Sequence, residues 1–179
     1  MRAHCNCQLK CTHCCTLSGP KVSHGSMTVT DWQAVVADIA QLGIPGVQFI
    51  GGEPTRSVDL LPLIAYALCR GLEVEVYSNL THVRPTMWQA FQEDGARLAT
   101  SYHSDRPDEH EAITGGRGSH QRTRRRLVDA LTHARTKCGH DTEPVAGRPA
   151  RSVACCLLLD GMMRLRKNLL NRSSEIGRP

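Results

Sequence analysis

Gly46-Val47-Gln48-Phe49-Ile50-Gly51-Gly52-Glu53-Pro54 is the stretch whose reading decides the fold. Residues 46–50 read as a buried strand that runs straight into Gly51-Gly52-Glu53-Pro54. Two glycines let the chain turn sharply and let a ligand approach the main chain. Glu53 then projects from a strand end as a charged acceptor suited to an ammonium group. Taken alone, the tetrapeptide is also what an ordinary turn looks like.

Working outward, the segments on either side alternate in type. Upstream, Thr28 or Thr30 can cap a helix carrying Trp32, Val35, Val36, Ile39 and Leu42 at spacings of three and four, with Gly43 suited to its left-handed end. Downstream, a helix is expected over about Val58 to Arg70, with Leu61, Ile64, Ala65 and Leu68 on one face and Gly71 as its stop. Cys69, beside Leu68, reads as a small core residue. Residues 72–77 alternate as a strand and end at Ser78-Asn79-Leu80-Thr81. Pro85 is placed to start a helix with Met87, Trp88 and Phe91 on its buried face, closed by Gly95. Residues 97–102 form the next strand, 103–120 a polar connection, and about His120 to Lys137 a last helix with Leu127, Val128, Leu131 and Ala134. Met1–Cys5 is short for a strand, so a first strand would be clipped. Strand and helix alternate, and each crossover is long enough for a parallel connection, which means an α/β fold. In such folds ligands sit at the C-terminal ends of the strands. Gly51–Pro54, Ser78–Thr81 and Ser101–Ser104 all fall there.

So does a short cysteine-rich loop. Cys7-Gln8-Leu9-Lys10-Cys11-Thr12-His13-Cys14 places three thiols at C-x3-C-x2-C. Soft thiolates at such spacing hold a metal or an iron–sulfur cluster. A structural zinc on Cys5, Cys7, Cys11, Cys14 or Cys15 is an alternative, and disulfides are another. No apolar signal sequence precedes Cys5, so an oxidising compartment is not indicated. Forty per cent apolar residues in a chain of 179 suit about one domain with a real core. No apolar run reaches the roughly 18 residues needed to span a bilayer, so the expected location is cytoplasmic. The net charge of +5 hides a split: residues 1–114 carry 8 basic and 12 acidic side chains, residues 115–179 carry 14 and 5. The basic end lacks interleaved aromatics, which argues against a nucleic-acid partner and for a solvated face with a tail.

With the cysteine triplet and Gly-Gly-Glu-Pro one αβ unit apart, residues 7 to about 137 resemble the radical S-adenosylmethionine (SAM) enzymes. The chain is similar to the subgroup that modifies peptides and often carries an extra Cys-rich C-terminal domain. The resemblance implies an incomplete parallel (β/α) partial barrel of about four strands over residues 1–137, followed by an irregular basic tail over 138–179. It implies a [4Fe–4S] cluster on Cys7, Cys11 and Cys14, with Cys5, Cys15 and Cys69 not ligating. It also implies a SAM site formed by Gly51, Gly52, Glu53 and Pro54, with Ser78, Asn79 and Ser101 near it and Glu53 on the methionyl amino group. Electron transfer from a flavodoxin- or ferredoxin-type donor would cleave SAM and give a 5′-deoxyadenosyl radical, for use on a peptide or protein substrate. Residues 105–115, with Glu109, His110 and Thr114, resemble the family's loop after the following strand. Three departures stand out: Cys15 replaces the usual aromatic after the third ligand, His103 stands where an acidic residue is common, and the strand–helix rhythm stops after Lys137. That stop reads as a truncated family member with an unrelated, disordered or frameshifted end and weak activity. The competing expectation is a non-catalytic zinc- or iron–sulfur-binding module, or an inactive fragment.

Overall fold

The computed structural model describes residues 6–14, 16–23, 25–137 and 156–158. Its elements run α1 (Val29–Gln41), β1 (Gly46–Phe49), α2 (Leu60–Cys69), β2 (Glu73–Tyr77), α3 (Pro85–Ala90), β3 (Ala96–Ser101), α4 (Pro107–Thr114), α5 (Ser119–Lys137) and β4 (Cys156–Leu158). The sheet order is β1-β2-β3-β4. β1 pairs with β2, and β2 with β3, in parallel. β4 closes the other edge antiparallel to β3, with Ser101 opposite Cys156. Among the described residues the fourth strand of this sheet therefore comes from the basic C-terminal stretch. Residues 1–5, and 138–179 apart from β4, lie outside the described residues.

Period-two alternation decides which side of the sheet is covered. Val47, Phe49, Val74, Val76 and Leu98 point into one core with Leu60, Leu63, Ile64 and Met87 from the helices. Phe49 faces Val76 across the ladder, and Val76 faces Leu98. Gln48, Glu75 and Arg97 alternate to the opposite, polar side, where Glu73 pairs with Arg97 at 3.2 Å.

The helix signals act largely as the sequence indicates. Thr28 caps α1 in a reciprocal capping box with Asp31, and Gly43 follows its end at φ +70°. Only Val36 of α1 is fully buried, and Leu42, at its C-cap, is 76% exposed. In α2 the buried stripe is Leu60, Leu63, Ile64 and Ala67, not one through Ala65, which is exposed along with Cys69. The segment is apolar almost all round, so periodicity alone could not select the inward stripe. Residues 103–120 are not simply a connection. Pro107 starts α4, Asp108 and Glu109 occupy its first turn, and Gly115 ends it at φ +61°. Its buried side chains are His110 and Thr114, so no apolar stripe announced it.

Candidate active site

The cysteine loop owes its seat to the C-terminal end of α4. Helix ends leave carbonyls without intrahelical partners. Two of these accept from the loop: Lys10 N–H donates to Thr114 O and Thr12 N–H to Ile113 O, each at 2.9 Å. The approach is close enough to require glycine at 115 and to leave little room beside Leu9 at 116. A Cβ on Gly115 would lie 2.8 Å from Lys10 O, and one on Gly116 would lie 2.5 Å from Leu9 Cδ2. On its other side the loop is tied to the glycine turn, with Glu53 N–H donating to Asn6 O at 2.9 Å and the Thr16 hydroxyl to Gly51 O at 3.1 Å.

Cys7, Cys11 and Cys14 are free thiols on this loop, Cys7 buried and the other two half-buried. Burial, then the charges of Cys7 and Cys14, push Cys11 up to about 11. Burial also raises Cys7, helped by Glu53 and Cys14. Burial opposes ionisation of Cys14 too, but hydrogen bonds from Thr16 and Ser18 outweigh it and leave that thiol below its ordinary value. The three sulfurs thus feel one another, and backbone N–H groups already point at two of them: Leu9 at Cys7 and Ser18 at Cys14, both at 3.4 Å.

Glu53 is not the isolated strand-end carboxylate that its sequence position suggests. It is 1% exposed. Its Oε1 accepts from Thr55 N–H (3.1 Å), the Thr55 hydroxyl (2.7 Å) and the Ser78 hydroxyl (2.8 Å), and Oε2 from Asn79 N–H (2.7 Å). Burial pushes its pKa up, against these hydrogen bonds. Among the described residues no cation forms an ion pair with it. Gly51 turns the chain at φ 129°, and Pro54 opens a short 3-10 turn, Pro54–Arg56, that Glu53 caps. Leu80, fully buried at φ +57°, holds the turn after β2 in the left-handed region, a strain of the kind found at functional sites.

The structure brings the cysteine loop, the Gly51–Pro54 turn and Ser78–Asn79 together. Asn79 joins them: its N–H meets Glu53, and its Nδ2 donates to Cys7 Sγ at 3.5 Å. Ser78 spends its hydroxyl on Glu53 and on Leu80 N–H. Ser101 ends β3, and among the described residues no side-chain hydrogen bond ties it to this network.

Sequence reasoning missed a second cluster beside the loop. His103 is half-buried. Its ring sits 5.1 Å from that of His13 and 5.4 Å from that of His110, which lies 5.5 Å from His120. The Tyr102 hydroxyl and His120 Nε2 are 2.8 Å apart. His110 is 1% exposed with neither ring nitrogen partnered, and burial together with His103 and His120 pushes it down to about 4. Four histidines scattered over residues 13–120 carry no spacing signal. Only the fold gathers them.

Residues 3–140 match the radical SAM superfamily, and the chain belongs to it. The superfamily uses a [4Fe–4S] cluster and SAM. One relative is Fe-coproporphyrin III synthase of Methanosarcina barkeri, 33% identical over 89 residues, covering 50% of this chain and 22% of that protein. Another is a PqqA peptide cyclase of Bradyrhizobium diazoefficiens, 34% identical over 74 residues, covering 41% and 18%. Among solved structures, Streptococcus suis SuiB bound to S-adenosylmethionine shares the fold at TM-score 0.66 and 17% identity, over 74% of this chain and 31% of that one. SuiB bound to precursor peptide SuiA matches at the same TM-score. The chain spans 22% to 34% of the length of the first three curated relatives. Among the described residues no helix is long and apolar enough to cross a membrane.

Proposed function

We propose that the chain binds a [4Fe–4S] cluster through Cys7, Cys11 and Cys14 and binds SAM beside it, in order to modify a peptide. One observation carries the reading: Asn79 links the Cys7 sulfur to the Glu53 carboxylate, so the thiol loop and the Gly-Gly-Glu-Pro turn form one site. The donor set fits the group. Three mutually coupled soft thiols with N–H donors at two sulfurs suit an iron–sulfur cluster with one iron left open. Glu53 fits the ligand. A buried carboxylate costs free energy unless paired, and an ammonium would supply the missing countercharge. Oε1 already takes three donors whereas Oε2 takes one, so Oε2 has capacity for that ammonium.

Bound together, the cluster and SAM supply one-electron cleavage of SAM to the 5′-deoxyadenosyl radical. The chain's own residues do the rest. The cysteine loop fixes the ligands against α4, Ser78 and Thr55 orient Glu53, and the Gly51–Gly52 turn leaves main chain open to the ligand. Ser101, at the β3 end, is assigned to the far side of the SAM site. The electron would come from a flavodoxin- or ferredoxin-type protein.

A peptide substrate is supported by the PqqA peptide cyclase and by SuiB in complex with its precursor peptide. A tetrapyrrole is the second reading, favoured by the relatives named as Fe-coproporphyrin III synthase and AdoMet-dependent heme synthase. The test is anaerobic reconstitution followed by SAM titration and assay of 5′-deoxyadenosine with a candidate peptide and with a coproporphyrin. A cluster whose spectrum responds to SAM is the expected result. Tight zinc in place of iron, with no SAM response, would select the non-catalytic binding module instead.

A further inference from the structure

Asn79 is clamped at every polar atom. Its N–H donates to Glu53 Oε2, and its carbonyl accepts from the Thr123 hydroxyl at 2.9 Å. Its Oδ1 accepts from Thr81 N–H at 3.0 Å, the Thr81 hydroxyl at 2.7 Å and Gln8 Nε2 at 2.9 Å. The Thr81 contact settles the amide's orientation, because a backbone N–H can only donate and so must meet the oxygen. The amide nitrogen is then left facing Cys7 Sγ at 3.5 Å. Gln8 donates to both Asn79 Oδ1 and Thr81 Oγ1. Donors that converge on Oδ1 polarise the amide and strengthen its N–H as a donor. With Leu9 N–H, the buried Cys7 sulfur receives two N–H groups, one from the main chain and one from a side chain 72 residues away in sequence.

We propose that Asn79 is a positioning residue for the cluster rather than a SAM contact: its Nδ2–H donates to the Cys7 sulfur and raises the reduction potential of the cluster that Cys7 holds. This rests on the cluster reading above. An N–H aimed at a ligating thiolate withdraws electron density and stabilises the reduced, more negative state, and such bonds are one lever by which a protein sets a cluster's potential. The same residue touches Glu53 through its main chain, so the contact tunes the cluster at the point where the SAM site begins.

The test is a redox titration of the reconstituted full chain, followed by electron paramagnetic resonance, with iron counted per chain. Asn79→Ala should load iron like the wild type and move the midpoint to more negative potential. Asn79→Asp keeps the acceptor for Thr81 but turns the donor into a carboxylate, so it should move the midpoint further the same way. Gln8→Leu, which leaves Asn79 in place, should give a smaller shift of the same sign and serves where the Asn79 variants do not fold. Unchanged midpoints in iron-loaded variants would overturn the assignment while leaving the cluster reading intact. Failure of the wild type to load iron would overturn both.

Discussion

Asn79, just past β2, and His110, on α4, are both polar side chains held close to the cysteine loop, and the fold treats them in opposite ways. Asn79 has a partner at every polar atom and knits three segments together. His110 is more deeply buried, yet neither ring nitrogen has a partner. A satisfied buried network rigidifies a site, whereas an orphaned buried group costs about 1–3 kcal/mol. The chain therefore concentrates its order where ligands are expected and tolerates an electrostatic cost on the other side of the loop.

The sharpest break of this contrast removes a proposed ligand. Cys11→Ala should reduce bound iron from about four per chain to a small remainder, while Cys69→Ala, at an exposed helix end, should leave it unchanged. Iron and sulfide assays after reconstitution check both. Next in size, Glu53→Gln should weaken SAM binding by about 1.5–3 kcal/mol, the worth of one charged hydrogen bond. It should also lower stability, because the new amide N–H2 meets the donors of Thr55, Ser78 or Asn79. Equilibrium titration and a denaturation midpoint read the two effects separately.

The histidine side is tested by pH. The folded chain keeps His110 neutral down to about 4, whereas an unfolded imidazole protonates near 6.5. Between those values the unfolded state binds the extra proton, so stability is fully present above 6.5 and falls as pH drops, by about 2 kcal/mol at pH 5 from this group. His110→Phe keeps a ring among Tyr102, His103 and His120 and should flatten that part of the stability profile. Smallest, Gly115→Ala puts a Cβ against Lys10 O at φ +61° and should cost about 1–2 kcal/mol, with the Cys loop loosening first in hydrogen exchange.

The strand–helix order and the placing of three motifs at strand ends were legible because period two and period 3.6 are properties of consecutive residues. The meeting of Cys7 with Asn79 was half legible: parallel topology places both at one end of the sheet, but which atoms touch depends on the turn that Leu80 makes at positive φ. Ser78 was readable as a strand-end residue, but its bond to Glu53 was not. The α4 helix went unread because its buried face is His110 and Thr114, with no apolar stripe. The seat of the cysteine loop was hidden for a similar reason. Gly115 and Gly116 look like loop glycines until Lys10 and Leu9 are placed against them.

The central claim is that the thiol loop and the Glu53 turn form one cluster–SAM site. Its most direct test is the electron paramagnetic resonance spectrum of the anaerobically reconstituted, reduced chain, recorded before and after SAM is added. A four-iron signal that changes with SAM in the wild type, and no longer changes in Glu53→Gln, is the predicted result. A four-iron signal indifferent to SAM in the wild type would contradict it.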